Sequence, residues 1–189
     1  VGSVSDSSAL LLRSSDKLRF IPDGQNSTTG SITFRAWDQT SGTAGTKVDV
    51  ATNGGITSFS SATATSNITV TDINDAPVLS GANDFSPITE DQTAPSGQTV
   101  ASLISGQVSD VDAGAINGIA VTALTSGTGT WQYSTDNGST WTAVGSVSDS
   151  AALLLRSSDK LRFVPDGQNS TTGSVTFRAW DQTSGTAGT

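Results

Sequence analysis

The chain has 189 residues, 34% of them hydrophobic, and carries 17 acidic against 9 basic side chains for a net charge of −8. That balance argues against nucleic acid and anionic membranes as partners, and the absence of Cys, Met and His removes disulfides, thiolate sites and imidazole chemistry. Glu90 is the only glutamate beside 16 aspartates, and with Ser, Thr, Gly and Val abundant this is the composition of an all-β protein rich in turns.

In chain order, short apolar runs predict strands at 10–12, 17–21, 31–36, 62–70, 99–104, 119–123, 129–134, 140–144 and 153–155. The segments 160–164 and 174–179 repeat the earlier pair at 17–21 and 31–36. Several alternate apolar with polar residues, as in Ile32, Phe34 and Ala36. "PDGQN" at 22–26 and 165–169 and the Asn-Gly pair in "TDNGST" at 135–140 supply the turns between them. Strands this short and closely spaced, with no helical period, predict an antiparallel β-sandwich of immunoglobulin type. Trp131, Tyr133, Phe163, Phe177 and Trp180 are its expected core aromatics, while "SSDKLRF", with Asp16 before Lys17 and Asp159 before Lys160, reads as exposed.

A long-range repeat organises the chain. Residues 1–46 and 144–189 align throughout with three changes, Ser8/Ala151, Ile21/Val164 and Ile32/Val175, which sets a period of 143 residues. Residues 1–76 then read as the second half of one repeat, and 77–189 as most of the next without its last strands. With no initiator Met and no signal-peptide pattern, the chain is expected to be an internal piece of a longer protein. No apolar run approaches the roughly 20 residues that a membrane-spanning helix needs, so no insertion into a membrane is expected.

The acids gather at predicted strand ends and at the joint between the two segments. Asp72, Asn74 and Asp75 lie in "TDINDAPV", Glu90 in "ITED", Asp110 and Asp112 in "SDVDAG", and Asp38 with its copy Asp181 in "AWDQTSG". Ca²⁺ takes 6–8 oxygen ligands from carboxylates, amide and backbone carbonyls and water, which such clusters can supply. The alternative is that these residues only cap turns.

These motifs resemble those of cadherin repeats. "DINDAPV" is similar to the Asp-x-Asn-Asp-x-x-Pro linker, "ITED" to the glutamate near a repeat's start, "DVD" to the Asp-x-Asp motif and "AWDQTSG" to the Ala-x-Asp-x-Gly ending of the penultimate strand. With the 143-residue period, the chain resembles the cadherin-like repeats of giant bacterial surface proteins and adhesins found beside RTX modules. The resemblance implies Ca²⁺-binding sandwiches joined end to end. It carries ligand roles to Asp72, Asn74, Asp75, Glu90, Asp110 and Asp112, and to Asp38 and Asp181. A Leu-Asp-Arg-Glu motif is absent, so one or two ions per joint are expected rather than a full linked set.

"STDNGSTW", Ser134 to Trp141, matches the Asp-box hairpin of sialidase propellers, of which there is one copy here. Without His or Cys, and with its acids in turn-like contexts, the chain is expected not to be an enzyme. Three roles follow. The first is a Ca²⁺-stiffened structural and adhesive segment, extracellular and bacterial, whose partners are neighbouring repeats and a cell-surface ligand. The second is a filament subunit in which 62–70 of one copy completes 77–189 of another. The third is a glycan-binding module using Trp141 or Trp37.

Overall fold

The computed structural model describes all 189 residues. They form an all-β protein with a single turn of helix, divided into two compact units, Val1–Asp72 and Ile73–Thr189. The division falls after Asp72, ahead of the boundary expected at 76, so the rest of the "DINDAP" segment belongs with the second unit.

The first unit holds β1 (Ala9–Leu10), β2 (Thr28–Phe34), β3 (Lys47–Val48) and β4 (Ala64–Val70). β1 pairs with β3 and β2 with β4, both antiparallel. The β2–β4 ladder runs without a break from Thr28↔Val70 to Phe34↔Ala64. The buried apolar residues of the first unit are Leu11 and Val50. Much of its apolar content faces solvent, including Leu18, Phe20, Ile21, Ile32, Phe34 and Ile68.

The second unit contains β5 (Val78–Leu79), β6 (Gln98–Thr99), α1 (Val100–Leu103), β7 (Val108–Ser109), β8 (Gly118–Thr125) and β9 (Thr130–Ser134). β10 (Thr142–Ala143), β11 (Leu153–Arg156), β12 (Lys160–Val164) and β13 (Ser174–Trp180) follow. They build a four-stranded sheet in the order β10-β9-β12-β6, a three-stranded sheet β11-β8-β13, and the small pair β5-β7. Ile119 and Val121 from β8, Leu153 and Leu155 from β11, Leu161 from β12, and Val100, Leu103 and Ile104 meet in one apolar cluster, so both larger sheets share a core. Trp131 is buried beside it, its indole N–H donating to the Thr125 carbonyl (2.9 Å) and its ring lying 5.0 Å from Phe85 and 5.1 Å from Phe163.

Three expectations need correction. The strand at 99–104 is mostly helical: Thr99 caps the turn by accepting the Ser102 N–H, which places Val100 and Leu103 together in the core. Val and Leu three positions apart carry a helical spacing that a short apolar run obscures. The strand at 17–21 does not form, although its copy is β12, which pairs with both β9 and β6; a strand without a partner ladder has nowhere to place its backbone donors. Lastly, Asp159 is 1% exposed. Its carboxylate accepts the Arg156 N–H (2.7 Å) and pairs with the Arg156 guanidinium (3.1 Å), which satisfies a buried charge.

Candidate metal centre

The pairing of β5 with β7, Val78 opposite Ser109, lays the segment just before β5 beside the residues just after β7. That register brings Asp75 to the Asp110–Asp112 turn. The Asp75 N–H donates to Asp112 Oδ2 (2.8 Å), and the Asp112 N–H donates to Asp110 Oδ1 (3.0 Å), a side-chain turn spanning two residues. Gly114, at φ +82, turns the chain back toward β8, in a conformation that favours glycine.

At the end of β13, the Asp181 side chain accepts the Thr183 N–H (3.0 Å) and hydroxyl (2.8 Å) on one oxygen and the Asn74 amide (2.8 Å) on the other. These bonds, the Asn74 amide foremost, hold its carboxyl below the usual range. Asn117, immediately before β8, is fixed through its backbone carbonyl, which accepts the Gln182 amide (3.1 Å).

Asp110 Oδ2 and Asp112 Oδ1, on the same turn, are buried and accept nothing, and the same holds for Asn117 Oδ1, which lies five residues after Asp112 at the start of β8. A buried carboxylate oxygen without a donor is costly, and in native proteins it normally marks an ion, a water or a functional contact. None of the four ion pairs of the chain reaches Asp75, Asp110, Asp112 or Asp181. No three His, Cys, Asp or Glu side chains are grouped closely enough to hold a metal by themselves. Carboxylates alone would not hold a hard cation here; amide, backbone or water oxygens would have to complete its shell.

Of the eight residues expected from sequence, five are drawn into this hydrogen-bonded neighbourhood: Asn74, Asp75, Asp110, Asp112 and Asp181. The other three are elsewhere. Asp72 is the exposed last residue of the first unit. Glu90 is exposed in the loop between β5 and β6, its carbonyl beside Gly167. Asp38 sits in the first unit, where Thr40 donates to it through its hydroxyl (2.7 Å) and N–H (2.9 Å); these bonds lower its pKa. Asn117 was missed. It is brought here by tertiary structure, through the Gln182 amide on its carbonyl, and nothing in "GAINGI" singles it out.

The Asp-box hairpin forms as its pattern implies. Asp136 accepts the Thr140 hydroxyl (2.6 Å) and N–H (2.9 Å), and these with the Ser134 hydroxyl depress its pKa to about 2. Trp141 lies under the Arg162 guanidinium, 4.1 Å from ring centroid to cation, so that face is occupied from within. The Trp37 indole donates to the Ser41 carbonyl (2.7 Å). No helix is long and apolar enough to cross a membrane. Comparison with protein-family models, curated proteins and solved structures found no match.

Proposed function

We propose that this chain is a non-enzymatic structural and adhesive segment of an extracellular protein, built from cadherin-like β-sandwich repeats and tied by Ca²⁺. The observation that carries this reading is the set of buried, undonated oxygens on Asp110, Asp112 and Asn117, beside a linker already hydrogen-bonded to the same turn. In this reading Asp110, Asp112 and Asn117 hold the ion, and Asn74 and Asp75 dock the linker next to it. Ca²⁺ offsets the mutual repulsion of the carboxylates and fixes the direction in which the chain leaves "DINDAPV". The two sheets sharing one core support the sandwich assignment.

An ion bound to the folded state alone stabilises it by about 2.7 kcal/mol at a hundredfold excess over its dissociation constant. The test is thermal unfolding in about 5 mM Ca²⁺, a concentration suited to the millimolar affinities of extracellular modules, repeated in EDTA, for the unaltered chain and for Asp112→Asn. The expected result is a higher melting temperature in Ca²⁺ that Asp112→Asn loses. Superimposable curves for the unaltered chain would retire the calcium reading and leave these aspartates as turn caps.

A further inference from the structure

The chain holds three Asn-Gly pairs, at Asn53, Asn117 and Asn137. In such a pair the unhindered glycine nitrogen can close on the asparagine side chain, provided that both are free to move. The structure separates the three. Asn53 is tied through its amide to the Val50 (3.2 Å) and Ala51 (3.0 Å) carbonyls, and the Gly54 N–H donates to the Phe59 carbonyl (2.7 Å). Asn117 has a buried side-chain oxygen and is followed by Gly118, which is paired with Arg156 on one side of β8 and Trp180 on the other. Asn137 is exposed in the turn between β9 and β10, and its side chain makes no bond within the protein.

Asn137 and Gly138 turn the corner in the left-handed region, at φ 61 and 93, and the Ser139 N–H returns to the Asp136 carbonyl (3.4 Å). The Gly138 N–H rests on the Ser134 hydroxyl (2.7 Å), a bond that must open before the nitrogen can attack, so the folded hairpin slows the reaction without blocking it. One atom of the turn carries a charge. The Lys160 ammonium, reaching over from β12, donates to the Asn137 main-chain carbonyl (3.2 Å) and belongs to none of the chain's ion pairs.

The geometry points to Asn137 as a site of spontaneous deamidation whose product Lys160 directs to isoaspartate. The Gly138 nitrogen, its proton lost to hydroxide, attacks Asn137 Cγ. The new C–N bond closes a cyclic imide while the Cγ–Nδ2 bond breaks, and ammonia leaves with a proton taken from water. Water then opens the imide at either of its carbonyls. Attack at Cγ breaks the new bond and gives aspartate. Attack at the main-chain carbonyl breaks the original peptide bond and gives isoaspartate, the chain now running through the former side chain. That second carbonyl is the one held by the Lys160 ammonium, which stabilises the negative charge developing on its oxygen. The carboxylate it becomes is formed beside a lysine that had no ion pair. The product adds a methylene to the main chain of the hairpin and a negative charge to its turn, a slow covalent record of the protein's age.

The test is to age the 189-residue chain in warm, mildly alkaline buffer and to map its digest by mass spectrometry with fragmentation that separates aspartate from isoaspartate. Lys160→Gln, Lys160→Arg and a synthetic peptide of residues 130–143 are aged beside it. The expected result is loss of the amide at Asn137 ahead of Asn53 and Asn117. The ratio of isoaspartate to aspartate should exceed that of the free peptide by at least about threefold, a small share of what an oxyanion donor gives in a site closed to water. Lys160→Gln should return the ratio to the peptide's value and Lys160→Arg should keep it raised. An intact Asn117 in Lys160→Gln shows that β8 is still folded, so that the changed ratio reports on the lysine. Earlier loss at Asn53 or Asn117, a folded ratio equal to the peptide's, a ratio indifferent to Lys160→Gln, or a cross-link between Lys160 and Asn137 each overturns the proposal.

Discussion

Residues 1–46 and 144–189 are the same sequence but for three positions, and they fold into two different environments. Their local features coincide. Arg13 and Asp16 close a turn with a 2.7 Å N–H bond and a 3.0 Å ion pair, and Arg156 and Asp159 close it again at 2.7 and 3.1 Å. Trp37 donates to Ser41 as Trp180 does to Ser184, both at 2.7 Å. Gln39 and Gln182 adopt the left-handed region at φ 65 and 63. The long-range features diverge. Leu161 is fully buried where Leu18 is 47% exposed, and Lys160–Val164 is a strand where its copy is not. Hydrogen bonds between residues two to four apart are written into the segment itself, whereas strand formation and burial are supplied by β8, β9 and the Val100–Leu103 turn.

Substitutions made in both copies test this division. The largest difference is expected for leucine. Leu161→Ala removes a core side chain and should cost about 2–5 kcal/mol in urea unfolding of the second unit, while Leu18→Ala, at an exposed site, should stay within about 0.5 kcal/mol. Similar costs would mean that residues 1–46 have a packed partner in solution.

Next in size is the aspartate of the shared turn. Asp159→Ala leaves the part-buried Arg156 N–H without its acceptor and removes a buried carboxylate's packing, at about 1–3 kcal/mol. Asp16→Ala breaks an exposed pair worth about 1 kcal/mol or less. Equal losses would show that the turn, and not its burial, sets the energy.

The smallest effect separates Asp181 from Asp38. Both carboxyls lie below their ordinary range, Asp181 chiefly through the Asn74 amide and then Thr183, Asp38 through Thr40. Because the folded-state pKa is depressed, this contribution is present above the ordinary Asp value and is lost as pH falls through the lowered one. Asn74→Ala should therefore raise the titration midpoint of Asp181 in a carboxyl NMR titration and leave Asp38 where it was. Movement of both would remove the distinction drawn between the two copies.

Much of this was legible in the sequence, and the part that was not has a common cause. The all-β character, the repeat and most strands of the second unit follow from alternation and turn residues. The Asp110–Asp112 turn follows from short spacing, which places the two residues together whatever the rest of the chain does. Burial of Asp159 was not legible, since "SSDKLRF" is identical in a copy where the same aspartate is only partly buried, its side chain 22% exposed. Nor was the helical turn at Val100, where capping by Thr99 and two buried contacts outweigh the β preference of valine. Asn117 joined the candidate site through tertiary structure alone, by way of Gln182.

Asn117 also has a mechanical consequence. It is followed at once by Gly118, where β8 begins, and β8 is the middle strand of its sheet, paired with β11 on one side and β13 on the other. In antiparallel pairs the hydrogen bonds run perpendicular to the strands. A pull along β8 from its first residue therefore loads the rungs of both ladders in shear and together, instead of peeling them one at a time. Tension entering at the Asp110–Asn117 turn is met by the most extensively paired strand in the second unit.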